Sequence, residues 1–209
     1  SYNEKILAAA RADELMLKFN ASQPPYQFDE LPLQVKELLE PAVVERITQL
    51  GIRTGEMHLA LASVKDIPEF NPEPFSLHYQ RSLFSSFQSQ VRSAYQSLQK
   101  NIKKLPPEVQ AEAEEVLGLK DKVLERFRSI YSKKFEVIKV RVHGDYHLGQ
   151  TLFTGKDIVI LDFEGEPGRS YSERRIKRNA LKDVAGMIRS FHYAAYGNLF
   201  LNNNTRKED

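Results

Sequence analysis

Between His143 and Glu164 the chain gathers the side chains most able to do chemistry. The stretch "HGDYHLGQ" sets Asp145 five residues ahead of Gln150, and "ILDFEGEP" brings Asp162 and Glu164 after a short apolar run. Carboxylates at the ends of strands commonly serve as caps or turn formers. Here two of them and an amide come from adjacent segments and converge at one end of a hairpin. Like charges so placed repel unless a cation lies between them. A hard cation such as Mg²⁺ takes oxygen ligands and shares them with phosphate. The spacing therefore points to a base at Asp145, an amide metal ligand at Gln150 and a carboxylate metal ligand at Asp162.

The elements that must position these groups are of two kinds. Upstream of residue 134 the chain reads as helices and loops. Residues 3–19 form an amphipathic helical pattern, broken by "NASQPPYQFDELP". A second helix begins near Leu33, keeps helical spacing despite Pro41, and has a plausible stop at Gly51. "RTGEMHLALAS" follows as a further helical set, in which His58 sits among apolar residues as a hydrogen-bonded core histidine. Residues 66–75 hold three prolines in ten positions and read as a loop or extended crossing. Two long helices come next, from about Leu77 to Ile102 and from Pro106-Pro107 to about Lys133.

From Phe135 the pattern turns β. "FEVIKVRVHGD" alternates, and "QTLF" and "DIVILDFE" read as two strands joined at Thr154–Asp157, the second apolar enough to be buried. A basic loop follows, then a helix from Ala180, and the tail over 201–209 reads as disordered. The expectation is a mainly α (α+β) single domain over residues 1–209, with a small β-hairpin carrying the site.

Bulk composition sets limits. With 28% charged residues and 41% hydrophobic ones the chain is ordinary for a globular protein. A formal net charge of +2 gives no argument for nucleic acid or a membrane surface as partner. There is no cysteine, which excludes disulfides and cysteine-ligated zinc and fits a reducing cytoplasm. No apolar run approaches the roughly 20 residues of a membrane-spanning helix.

The Asp145, Gln150, Asp162 order resembles that of protein kinases. There a catalytic-loop Asp positions the nucleophilic hydroxyl, and a side-chain amide and the Asp of a later Asp-Phe-Gly hold Mg²⁺. The His-Gly-Asp form is similar to kinase-like small-molecule phosphotransferases such as the aminoglycoside and choline kinases. "HGDYHLGQ", "ILDFEGEP", "ERR", "LKDVAGMIRSF" and "YAA", preceded by "LGIRTGEMHLALAS", together resemble the maltokinases, including the maltokinase-like domain fused behind trehalose synthase. The likeness covers about residues 40–197.

That resemblance implies a two-lobed kinase-like fold, of which this chain is the C-terminal lobe, and transfer of phosphate from ATP to maltose with Mg²⁺, giving maltose 1-phosphate. It implies that Asp145 orients or deprotonates the sugar hydroxyl and that Gln150 and Asp162 bind Mg²⁺. Glu164 stands where protein kinases have glycine and adds a possible metal carboxylate. His143 would brace the loop backbone and His147 would meet substrate or loop. Asp183 and Arg189 would brace the site from the following helix. The basic stretch after Pro167, with Arg169, Glu173, Arg174, Arg175 and Lys177, is a solvated face or a contact for phosphate or sugar.

No Gly-rich loop or strand-borne lysine precedes Asp145, and the chain starts at Ser1 rather than Met. The expectation is therefore a piece of a longer polypeptide, lacking the ATP-covering lobe and inactive alone. Two other readings compete. His143, Asp145 and His147 alternate, so on a strand they would face one way and hold a metal in a hydrolase. Alternatively the chain is a non-catalytic lobe docking on a fused trehalose synthase.

Overall fold

The computed structural model describes residues 27–64 and 66–205. The helix expected over 3–19 lies outside them. Helices dominate, and the strands form two small antiparallel pairs. By internal contacts the chain falls into two units. Of the described residues, one gathers those from 27 to 57 with Gly149–Leu161; the other gathers the rest.

Helix α1 is short, Leu33–Leu38, and α2 runs from Pro41 to Ser63. The sequence pattern carried one helix across Pro41 and stopped it at Gly51; the structure does the reverse. Proline lacks an N–H, so it costs nothing in a first turn, where no intrahelical acceptor exists for it. Val43 and Val44 donate to Glu40 O at 2.8 and 3.3 Å, which starts the new helix there. Gly51 lies within α2, between turns whose Leu50, Thr54 and Met57 are buried. That burial outweighs the roughly 1 kcal/mol glycine costs in a helix.

In the first unit the start of α2 carries a hairpin. Strand β3 (Thr151–Phe153) pairs with β4 (Ile158–Ile160) in the register Leu152↔Val159. The turn closes through Thr154 N donating to Asp157 O at 2.8 Å, with Gly155 at φ +91° where L side chains are strained. Arg46 stacks over the Phe153 ring at 4.5 Å. Val159 and Leu161 are exposed, so β4 is not the buried strand its apolar run suggested; a two-stranded ribbon leaves much of its surface in water.

The second unit is built on α3 (Leu77–Asn101), α4 (Pro107–Gly118) and α5 (Lys120–Ser132). Ser76 caps α3 by accepting from Tyr79 N at 3.2 Å. Phe84, Phe87, Val91, Tyr95 and Leu98 recur every three or four residues along α3, the spacing of one helix face. Phe84 meets Tyr131 edge-on at 4.8 Å and Phe87 meets Phe127 at 5.1 Å, both from α5. The continuous helix expected to Lys133 is broken at Leu119, whose N–H reaches back only to Val116 O. Gly118 weakens the turn there, and the break lets α5 fold back on α3. Gln80, fully buried, donates from Nε2 to Ile130 O at 2.6 Å and Lys133 O at 2.8 Å, satisfying the end of α5.

The proline-rich crossing contributes a strand. β1 (Glu73–Pro74) pairs with β2 (Ile138–Lys139), and the next residue, Phe75, donates to Val137 O at 3.0 Å. The long strand expected from Phe135 is thus only two residues of ladder, followed by a bridge in which Val140 and Arg178 exchange bonds of 2.8 and 2.9 Å. A one-turn helix, α6 (Tyr171–Arg174), precedes α7 (Leu181–Thr205). Residues 201–205, expected in a disordered tail, continue α7, since neither glycine nor proline follows Gly197 to stop it. Among the described residues no helix is long and apolar enough to cross a membrane.

Candidate functional site

The His143–Leu148 loop is held by α7. Asp183 is 2% exposed, and its two carboxylate oxygens accept from His143 N at 2.8 Å and Gly144 N at 3.0 Å. His58, from the end of α2, places Nε2 2.9 Å from the same carboxylate. Burial alone would push the Asp183 carboxyl up; the His58 hydrogen bond and the two backbone N–H groups outweigh it and hold it below the usual carboxylate range. One turn on, Gly186 lets the loop approach: a Cβ there would meet Tyr146 O at 2.7 Å. Ser190 Oγ accepts from Leu148 N at 3.0 Å, and Lys182 Nζ donates to Gly144 O. Asp183, Gly186 and Ser190 are spaced by three and four residues and so share a helix face.

His143 is 1% exposed. Its Nδ1 faces the backbone N–H of Asp145 at 3.4 Å, and its ring packs against Tyr146 at 5.3 Å and Phe163 at 4.9 Å. The Phe163 contact ties the loop to the Asp162 segment. So does glycine: a Cβ on Gly144, at φ +94°, would lie 3.3 Å from Gly165 Cα. Gly165, at φ +78°, is itself crowded by Arg174. The two acidic motifs are therefore pinned side by side through their backbones. Asp162 sits at φ +60°, a left-handed conformation rare outside glycine, and a residue strained this way is held by its surroundings.

With the backbone braced, the Asp145 side chain is 34% exposed and opens on a polar cleft of about 500 Å³. His147, Glu166, Lys182, Arg189 and Tyr193 line the same cleft. His147 Nε2 lies 3.9 Å from Asp145 Oδ2. Arg189 donates to Tyr193 Oη at 2.9 Å and stacks on that ring at 4.3 Å, as part of the cleft wall. Glu164 is exposed beside Asp162. Gln150 ends a 3₁₀ turn, Leu148–Gln150, and its carbonyl accepts from Leu161 N at 2.9 Å within the hairpin unit.

Much of the basic stretch is engaged internally. Arg169 pairs with Glu166 at 2.6 Å and Glu173 at 3.8 Å. Glu173 also closes a capping box with Ser170 at the start of α6. Arg174 donates to Arg169 O at 2.9 Å and Pro167 O at 2.7 Å. Lys177 reaches Glu73 at 2.8 Å and Pro68 O at 2.9 Å, tying β1 in place. Arg175 lies near Arg141, whose guanidinium is held below its ordinary value by burial and by that like charge.

The alternating-ligand expectation does not fit this geometry. His143 is buried and faces the loop backbone, and residues 143–147 form a turn, not a strand. Among the described residues no three His, Cys, Asp or Glu side chains are grouped to hold a metal. Sequence reasoning named Asp183 without its partner, and it did not use Gly186, Ser190 or Lys182 as loop supports. For Gly186 and Ser190, the i+3 and i+7 spacing from Asp183 was the available signal.

No family model matches the chain. In fold it is similar to solved structures of glucosamine kinase. Crystal form B of that enzyme aligns at a TM-score of 0.59 and 22% identity over 78% of this chain and 36% of its own. The same enzyme in complex with glucosamine, ADP and inorganic phosphate aligns at 0.58 and 22%, over 76% and 34%. This chain thus shares the fold of a part of that kinase and spans about a third of the length of the structures it matches.

Proposed function

We propose that this chain is the catalytic, acceptor-binding C-terminal lobe of an ATP-dependent sugar kinase, and that its acceptor is maltose. The observation that carries the reading is Asp145: its backbone is clamped on both sides while its carboxylate opens on a polar cleft. A base for phosphoryl transfer needs just this, a fixed position and access to a hydroxyl. Asp145 orients the acceptor hydroxyl and takes its proton. Lys182, Arg189 and His147 in the cleft wall supply donors and positive charge toward sugar hydroxyls and phosphoryl oxygens.

The donor set suits Mg²⁺ better than zinc. Asp162 and Glu164 offer carboxylate oxygens beside the Asp145 loop, and the one nearby buried imidazole, His143, faces the loop backbone. Asp162 and Glu164 would hold the ion; Gln150, the amide in the motif, belongs to the hairpin unit. When bound, Mg²⁺ supplies charge neutralisation on the transferred phosphate. ATP as phosphoryl donor and a cytoplasmic location belong to the same reading.

Maltose over other sugars rests on the maltokinase resemblance of "HGDYHLGQ", "ILDFEGEP" and "LKDVAGMIRSF". A fused trehalose synthase is the corresponding partner. The test is ATP-dependent phosphoryl transfer by the intact protein containing this chain, with maltose, glucosamine, glucose and trehalose offered separately. Maltose is expected to be preferred. Preference for glucosamine would replace the acceptor and keep the kinase. No transfer to any of the four by cooperatively folded protein would remove the kinase reading.

A further inference from the structure

A second, larger cavity lies in the same unit and adjoins the Asp145 cleft, with which it shares Gly144, Glu166 and Lys182. Its volume is about 690 Å³, within the range of small-molecule sites. Tyr79, Leu83 and Phe87 of α3, Ile130 of α5, and Phe135 and Val142 form an apolar wall on one side of it. Such a wall suits carbon. Hydroxyl groups set against that wall would go without partners, at a cost for each.

One end of the cavity is different. Arg169, Arg174, Arg178 and Lys182 line it together with Glu166 and Glu173. Both carboxylates pair with Arg169. The other three cations make hydrogen bonds to neutral oxygens: Arg174 to two backbone carbonyls, Arg178 to Tyr79 Oη at 3.2 Å, and Lys182 to Gly144 O, while Arg178 also lies near enough to Glu173 to act on its charge. An apolar chamber with a net cationic end is complementary to a molecule of the opposite design.

We propose that this cavity binds a small amphiphilic anion, with a flat apolar body of one or two rings and one carboxylate, sulfonate or phosphate at its edge. The inference does not rest on the kinase reading. It does place the anion's head next to Gly144, beside the loop that carries Asp145.

The probe is 1-anilinonaphthalene-8-sulfonate, compared with uncharged N-phenyl-1-naphthylamine, each titrated by fluorescence into the 209-residue chain. One saturable sulfonate site per chain is expected. It should be about tenfold tighter than the uncharged dye, as one charge-assisted contact allows, and the gap should narrow at about 1 M salt. Arg178→Gln should close most of that gap and leave the uncharged dye unchanged. Ser86→Trp should fill the chamber and abolish both; Gln90→Trp, at an exposed position of the lining, provides the same block if the first variant does not unfold cooperatively. Absence of binding, or unsaturable binding that treats the two dyes alike and ignores both tryptophans, would overturn the proposal.

Discussion

Two aspartates fasten two parts of this molecule, and they do so in opposite surroundings. Asp183 accepts two backbone N–H bonds and faces His58 with its side chain 1% exposed. Asp157 accepts from Arg53 Nε at 2.7 Å, Arg53 Nη2 at 2.9 Å and Gln49 Nε2 at 3.0 Å, but is 44% exposed. Both carboxyls are held below their ordinary range. For Asp157 the leading cause is the Arg53 hydrogen bond; for Asp183, burial pushes the other way and is overcome. The number of bonds is similar, so water decides the difference. A buried acceptor that loses its donors, or donors that lose it, cannot turn to solvent. An exposed pair can, and salt screens what remains. The loop carrying Asp145 is thus fixed by a contact that is costly to break, and the hairpin by one that is cheap.

The largest effect should come from the residue that neither clamp needs. On the proposed kinase reading, Asp145→Asn in the intact protein should lower phosphoryl transfer by about three orders of magnitude while the urea midpoint stays put. Loss of both together would make Asp145 part of the fold and blur the contrast between base and brace.

Next is the buried clamp itself. Asp183→Ala strands two backbone N–H groups and His58, and should cost about 3–5 kcal/mol in urea unfolding. Gly186→Ala forces a Cβ toward Tyr146 O and should cost about 1–3 kcal/mol. Near-normal stability in both would mean that the loop is held elsewhere.

Acid should then separate the contributions by sign. Lys139 and Lys177 hold Glu73 down at about 2 against an ordinary 4.5. A carboxylate whose folded value is depressed stabilises fully above its unfolded value and loses that contribution as pH falls toward the folded one. Stability should therefore decline between pH 4.5 and about 2, and Glu73→Gln should flatten part of that decline in acid unfolding curves. A variant curve parallel to the wild type would remove Glu73 from the account. The smallest effect belongs to Asp157→Asn, a midpoint shift visible at low salt and lost at about 1 M. A shift equal to that of Asp183→Ala would break the comparison outright.

The residues of the candidate site were legible because they are written locally. His143-Gly144-Asp145, Gln150 and Asp162-Phe163-Glu164-Gly165 stand in one short stretch, and the hairpin between them follows from apolar runs around Thr154–Asp157. Helix ends were less secure. The sequence pattern ran through Pro41 and stopped at Gly51; a proline tolerated in a first turn and the burial of Leu50, Thr54 and Met57 around Gly51 reversed both. The Pro107 helix broke at Leu119, where packing on α3 outweighed continuity.

By itself the sequence determined which residue types recur at which spacing, and hence the order Asp145, Gln150, Asp162 and the helical character of what surrounds it. These follow from backbone geometry over three or four neighbours. Only the tertiary structure decided what the charges do. It set His58 against Asp183 across 125 residues and Lys177 against Glu73 across 104. It left Asp145 open to a cleft while Arg169 was paired with two carboxylates. An ion pair depends on distance and dielectric, and both come into being only when remote segments close on one another and exclude water.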